Sequence, residues 1–521
     1  MQKQPMTYLE YLKNPTLIAV VIAILTTGFL RLQVMVFPPD SDAGIYTFAS
    51  QWFFNAITQD IPIKDSKLYL YQFMTAWVYG LDVNQIILLR IIDCFVAIAA
   101  SIVLFNVILK ESGSKLFTVI LMTSLLIILH DFTYVIFGFR NSIWAAYLPL
   151  FTALLVWQNS TKEDKYSFYL IGGLISLGVL LREAFLPFFL LTCISIYISY
   201  GRRASLKYLI GSAVIGFSVL GFILIFRGWD INNLLDRYIL HVAAYQDYKG
   251  MGLSFSSGIH RLIKTGWFIC TLSLASILYF IKLKFNNKKL VNMNRLYFWG
   301  LVTLIPLIEP ISKVGSDYHY FNCLIGLAGL SAMGWKYLSL HESKQIKKSS
   351  IMLIGLMSLI VIVSSVNRNF IKSDYIYSPS DVAQWVKIPD SFRSKNSIER
   401  SQYLTLASKI YSLSREDSTL VVSGGMQVLY PLTELLPPTY ELSALRYLFI
   451  QLNFNEDKLI KIIKKHQPTL IVTTDWYPGE ADMSAIIDKI DLYEKVEVVP
   501  VNPKKNYGWK SGTIYRLKDF E

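Results

Sequence analysis

Up to about residue 366 the chain is a succession of apolar stretches of about the length needed to cross the roughly 30 Å hydrocarbon layer of a bilayer, and this limits the fold more than any other feature. In hydrocarbon every backbone N–H and C=O must be bonded within the protein, so stretches of this kind form helices. They run over 16–37, 85–109, 116–130, 142–158, 208–226, 265–281, 296–311, 318–335 and 349–366. A further apolar run over 167–200 is interrupted at Leu181-Arg182-Glu183-Ala184-Phe185-Leu186-Pro187 and has basic residues on both flanks (Lys162, Lys165; Arg202, Arg203, Lys207). Basic flanks stay on one side of a membrane, so this run crosses twice and the count is eleven spans.

A composition of 53% hydrophobic and 17% charged residues, with mean hydropathy +0.41, excludes a soluble enzyme. An aromatic content of 14% with 18 Pro argues against a disordered or collagen-like chain. Residues 367–521 have ordinary mixed composition and the length of one folded domain. The expected organisation is a membrane unit, 1–366, followed by a soluble α/β domain, 367–521.

The net charge of +13 is topological. The tail is nearly balanced, with 20 Lys and Arg against 19 Asp and Glu, so the surplus lies in short loops between apolar segments. That is the signature of orientation in a bilayer and not of a nucleic-acid partner. Loops 1–15, 110–115, 159–166, 201–207, 282–295 and 336–348 hold 18 Lys and Arg, whereas the longer opposite set, 38–84, 131–141, 227–264 and 312–317, holds 9. The first set is therefore expected in the cytoplasm and the tail outside. The first span is preceded by two lysines and lacks a small-residue cleavage site, as in a retained helix rather than a signal peptide. Cys94, Cys193, Cys270 and Cys323 fall in apolar stretches without metal-knuckle or disulfide spacing and read as packing residues.

Leu68 to Leu81 is short for a span and studded with Tyr69, Tyr71, Gln72, Trp77 and Tyr79, which predicts a helix lying on the membrane. In the tail, β-rich runs at Thr419–Val422, Thr469–Thr473 and Val496–Val499 alternate with helical periodicity at Ile398–Ser412 and Asp457–Lys465.

The richest outer loop reads Phe37-Pro38-Pro39-Asp40-Ser41-Asp42-Ala43-Gly44-Ile45-Tyr46, continues to Phe54, and ends with Ile61-Pro62-Ile63-Lys64-Asp65. A rigid Pro-Pro pair holds Asp40 and Asp42 just past a membrane helix. There a carboxylate can take a proton from an incoming hydroxyl while the substrate's lipid stays in the bilayer. Helix capping by Asp42 is the structural alternative. The outer side also carries Arg140, Arg182, Arg227, Arg237, His241, His260, Arg261, Lys313 and His319, the groups an anionic lipid phosphate needs; each alone also suits a snorkelling residue, except Arg182, whose neighbours are apolar but for Glu183 and whose structural alternative is a contact of Arg182 and Glu183 with other helices. Arg90 and Asp93 lie three apart on one helix face and are expected to neutralise each other. Ser423-Gly424-Gly425 lacks the Lys of a phosphate loop and reads as a turn. No His, Cys and acidic cluster has metal-ligand spacing, and Asp40, Asp42 and Asp65 are the carboxylates left to hold a divalent metal.

An outward Asp after the first span, Gly44-Ile45-Tyr46, an interfacial helix, Ile61-Pro62-Ile63-Lys64-Asp65, an aromatic helix, a span bearing Arg90, the double crossing at Leu181-Arg182-Glu183 and Asp317-Tyr318-His319-Tyr320 together resemble the glycosyltransferase C superfamily. These are polytopic enzymes using polyprenyl-phosphate sugars, among them protein mannosyltransferases and the lipid A aminoarabinose transferase. The resemblance covers the membrane part in order. It implies a polytopic α-helical membrane protein with a C-terminal extracytoplasmic α/β domain, in a bacterial cytoplasmic membrane. The implied activity is transfer of a sugar from a polyprenyl-phosphate donor to a lipid-linked or cell-surface glycan acceptor. It implies Asp42 as base with Asp40 beside it, Arg182, Arg140, Arg261, His319 and Lys313 at the donor phosphate, and Tyr46, Lys64, Asp65 and Tyr320 at the substrate. Ala43 stands where the family usually has Glu, so a two-carboxylate site would need Asp40. A transporter or flippase of a lipid-linked precursor is the rival expectation; it predicts charges inside several spans.

Overall fold

The structure, a computed structural model, describes residues 14–31, 47–55, 70–82, 85–130, 141–161, 164, 166–182, 185–226, 254–285, 292–308, 320–367, 398–423, 426–445, 448–449, 452–474, 483–500 and 511–518. Its larger part is a helical bundle. α1 (Pro15–Ala23) is capped by the Asn14 side chain on Thr16 N–H and carries Pro at its first turn, where no N–H is missed. It continues through a π-helical turn, Ile24–Gly28, to Arg31. α2 (47–55), α3 (Leu70–Thr75) and a 3₁₀ turn (Ala76–Gly80) follow.

Next come α4 (Gln85–Ser112), α5 (Lys115–Leu129), α6 (Asn141–Asn159), α7 (Ser167–Leu181), α8 (Leu186–Tyr200) and α9 (Arg202–Phe226). The bundle is completed by α10 (Phe255–Phe285), α11 (Met293–Leu304), α12 (Cys323–His341) and α13 (Lys344–Val366). Five of these, α4, α9 (over Arg202–Phe222), α10, α12 and α13, are long and apolar enough to cross a membrane. The others are shorter or less apolar, so helix length alone does not give the number of crossings. α10 departs from helical geometry at Gly266, where a Cβ would lie 2.5 Å from Leu324 of α12.

Polar contacts sort the helix ends into two groups. At one end Arg295 meets Glu111 at 2.5 Å, Gln158 donates to Glu111 at 3.1 Å, Lys207 donates to the Asp164 carbonyl and the Tyr279 hydroxyl donates to Glu342. These contacts join the loops that the sequence groups by their basic residues. The opposite end holds Arg31, Asp93, His130, Trp144 and Phe185. Close helix contact sets the bundle's spacing at α7 and α9. A Cβ on Gly172 would stand 2.0 Å from the Tyr208 carbonyl oxygen, and one on Gly211 would stand 2.1 Å from that of Tyr169.

The tail begins with α14 (Ile398–Leu413) and contains β1 (Leu420–Val422), α15 (Leu429–Thr433), α16 (Glu456–His466), β2 (Leu470–Thr474), α17 (Met483–Asp488), β3 (Tyr493–Pro500) and β4 (Ser511–Leu517). The sheet order is β1-β2-β4-β3, with β1 parallel to β2 and the other pairs antiparallel. The final strand, β4, falls between β2 and β3, and the sequence reading did not find it. Alternation buries both faces of the sheet. Val421, Ile471 and Tyr515 face Leu459, Ile463 and Ile486, whereas Leu420, Val422, Leu470, Val472 and Ile514 share a core with Tyr403, Ala407 and Ile410 of α14. That second core also takes in Phe48, Trp52 and Phe53 of α2, Ala76 and Ile86. Phe48 stacks on Tyr430 with ring centroids 4.4 Å apart. The tail is therefore seated on α2, the 3₁₀ turn and the start of α4.

The Leu68–Leu81 segment differs from an amphipathic surface helix. Its described part is six residues of α-helix and a 3₁₀ turn, with Leu70, Tyr71, Gln72, Thr75, Ala76 and Val78 buried and only Met74, Trp77, Gly80 and Leu81 exposed. Protein, more than lipid, covers it.

Candidate functional site

Arg31 is buried at the C-terminal end of the helical run that α1 opens, in a stretch whose apolar character hides it. A charge there is tolerated only when paired. Its guanidinium meets the Asp93 carboxylate of α4, and both side chains are almost fully buried. Its Nε makes a long hydrogen bond, 3.4 Å, to His130 Nδ1 beyond the end of α5. His130 stacks on Trp144 of α6 at 4.6 Å. Asp93 thus pairs across helices with Arg31, which corrects the expectation that it neutralises Arg90. Arg90 is itself buried one turn earlier on α4.

Tyr71 of α3 completes the group. Burial raises the pKa of its hydroxyl most, the Asp93 charge raises it further and the Arg31 charge opposes both, so the phenol stays protonated. The Tyr79 hydroxyl donates to the Thr47 carbonyl at 3.0 Å and fixes the start of α2.

An aromatic wall links this knot to Arg182. Trp144 lies edge-on to Tyr147 at 5.7 Å, Tyr147 contacts Phe185 at 5.0 Å, and the Arg182 guanidinium stands 6.0 Å from the Phe185 ring. Arg182 is 7% exposed at the break between α7 and α8, where its own extended backbone ends α7. Its environment is therefore the interior of the bundle, not the interface that a snorkelling side chain would reach.

The other described candidates fall elsewhere. Arg261 stands exposed on α10, one turn from Gly258. Tyr320 is fully buried, its ring covering Gly258, where a Cβ would come within 2.2 Å, and contacting Phe255 at 6.1 Å. Tyr320 is thus a packing residue between α10 and the start of α12. Asp40, Asp42, Tyr46, Lys64, Asp65, Arg140, Lys313 and His319 lie outside the described residues. Their anchors do not. The 32–46 segment leaves from Arg31, the 131–140 segment leaves from His130, and those two residues touch.

The sequence reading missed Arg31 and His130. The available signal was an arginine inside an apolar run, which demands an acidic partner in another helix. The four cysteines are free, with Cys94 and Cys323 buried and Cys193 and Cys270 half-buried. Neither a protein-family model nor a curated protein matches the chain.

Proposed function

We propose that the protein is an integral membrane glycosyltransferase with eleven crossings, its tail on the outer face of the cytoplasmic membrane. It takes a sugar from a polyprenyl-phosphate donor and places it on a lipid-linked or cell-surface glycan. Asp42 removes the acceptor hydroxyl proton as that oxygen attacks the anomeric carbon. The bond to phosphate breaks and the configuration inverts. The leaving group departs as a phosphate, so cationic stabilisation matters more than a proton donor. Arg182 and Arg140 are the first candidates, with Arg261, Lys313 and His319 further out. Asp40 and Asp65 stay as companions of Asp42 in either substrate or divalent-metal binding. Tyr46 and Lys64 contact substrate.

The observation that carries this reading is the contact between Arg31 and His130. It makes neighbours of the points from which the Asp42 and Arg140 segments leave the bundle, on the end where Arg182 and the seated tail also lie. An acid–base group, a phosphate cation and an acceptor platform are the parts a lipid-phosphate transferase needs together.

The test is transfer from a synthetic polyprenyl-phosphate sugar by purified full-length protein in detergent. Asp42→Asn should lower the rate by about 10² to 10⁴, the usual size of a general-base contribution, while leaving thermal unfolding unchanged. A folded D42N protein with the full rate would end the assignment.

The buried Arg31–Asp93 pair favours a second reading, a transporter or flippase of a lipid-linked precursor. Detergent removes the compartments that a transporter needs, so transfer under those conditions separates the two.

A further inference from the structure

α13 starts with the wrong charge for a helix N-terminus. Lys344, Lys347 and Lys348 stand in its first turns, with no acidic residue in the first. Cations there oppose the helix dipole, and lysines three and four apart repel one another. The protein does not neutralise them internally. Glu342 is the only carboxylate within 336–350; it accepts from the Tyr279 hydroxyl at 3.1 Å and lies 4.0 Å from Lys282 Nζ. Glu111, at the same end of the bundle, is held by Arg295 and Gln158. None of the three lysines makes an ion pair among the described residues.

Packing gives this charge a definite depth and a definite face. The Ser124 and Ser358 hydroxyls are hydrogen-bonded at 2.7 Å and a Cβ on Gly355 would lie 3.9 Å from Ile120, so α13 runs alongside α5 in the same direction. From Ser349 to Val366 the helix is about 27 Å long, close to the thickness of a hydrocarbon layer, which leaves the lysines at the depth of the headgroups. Lys344, Lys348, Met352, Leu356, Leu359 and Val363 succeed one another at intervals of three and four and are all exposed, Met352 by 66% and Val363 by 60%. Ile354, Ser358 and Val361 are buried. One stripe of α13 therefore presents uncompensated cations at its end and bare apolar side chains along its length.

That sequence of surfaces matches a molecule with a phosphate at one end and acyl chains at the other. A zwitterionic headgroup brings its own cation and leaves the lysines repelling one another, whereas a headgroup of net negative charge relieves them. We infer that this stripe is a binding site for an anionic phospholipid, its phosphate against Lys344 and Lys348 with Lys347 beside them, and its acyl chains along Met352, Leu356, Leu359 and Val363. The inference rests on α13 lying in a bilayer and not on the transferase reading.

The experiment titrates full-length protein in neutral detergent with phosphatidylglycerol or with phosphatidylcholine of the same acyl chains, and reads bound lipid by native mass spectrometry. The parent should bind phosphatidylglycerol more tightly by about tenfold or more. Replacing Lys344, Lys347 and Lys348 together by Gln, which is as good a helix former, should weaken phosphatidylglycerol binding roughly a hundredfold, at about fivefold per lysine, and leave phosphatidylcholine binding unchanged. Without lipid this variant should melt no lower than the parent, because its repulsion is relieved. Lys348→Gln alone should show the fivefold step. Replacing Lys458, Lys461 and Lys465 of α16 by Gln removes the same charge from another exposed face and should change nothing. The inference is overturned if the parent does not discriminate between the two lipids, if the α13 variants keep the parent's preference, or if the α16 variant loses as much. Displacement of phosphatidylglycerol by an equal concentration of glycerol 3-phosphate would overturn it too, by making this a site for a soluble phosphate.

Discussion

Arg31 and Asp93, 62 positions apart, meet as a buried ion pair that ties the end of the first helix to the third turn of α4. Removing one partner leaves the other charge buried and uncompensated, at a cost of about 3–5 kcal/mol. Arg31→Met and Asp93→Leu should each destabilise the protein by that order. The double variant, with no charge left, should lose less than either. Denaturant unfolding in detergent reads this directly; a double variant as unstable as the sum of the singles would contradict it.

The crossing of α7 and α9 depends on glycine at two reciprocal places. In Gly172→Ala or Gly211→Ala the new methyl meets a backbone carbonyl at about 2 Å, and the helices must part. Overpacking of this kind costs about 1–3 kcal/mol. Gly221, on the same α9, has nothing within 4 Å of a Cβ, so Gly221→Ala should be neutral or stabilising by up to about 1 kcal/mol. Melting temperatures of the three variants in one detergent test the contrast.

Phe48 and Tyr430 hold the tail to the membrane unit. Phe48→Ala should cost about 3–5 kcal/mol, as for a large aromatic removed from a core. Limited proteolysis of the full chain in nanodiscs should then release the tail faster than in the parent. A double-mutant cycle with Tyr430→Leu should show a coupling of about 0.5–1.5 kcal/mol. Unchanged proteolysis would mean that the tail is retained by other contacts.

Lys518 donates to Asp491 at 2.6 Å, and this hydrogen bond, with the Lys518 charge, holds the carboxyl below its usual value of 3.8. A folded-state pKa below the unfolded one stabilises the protein above the unfolded pKa, and the contribution disappears as pH falls through the folded value. The tail should therefore lose this small increment only in acid, below the ordinary aspartate range. Asp491→Asn should remove that part of the pH dependence and leave stability at neutral pH almost unchanged, because Asp491 is exposed. Unfolding measured from neutral to acid pH compares the two proteins.

Much of this arrangement is legible in the chain itself. Helices stand in each of the ten apolar runs, two of them within 167–200, because hydrocarbon-like sequence cannot leave its backbone unbonded. The basic loops that the sequence groups together are joined in space through Glu111, Arg295, Asp164 and Lys207. Three strands of the tail appear near their β-branched runs. Less legible is the segment around Tyr71, whose aromatic residues suit a membrane surface equally well as a protein interior. Tyr320 is similar: a tyrosine in a polar tetrapeptide gives no sign of the glycine that it covers.

Local sequence determined where helices and strands form, because hydropathy and side-chain branching act within a few residues of each backbone bond. The partners were decided by tertiary structure. Asp93 has a cation three residues away on its own helix and takes another from a different one. β4 enters between two earlier strands, and the tail's core is completed by Phe48 and Trp52. The buried carboxylate and the open sheet face take what lies nearest in three dimensions, and proximity of that kind is a property of the assembled bundle, not of any stretch of chain.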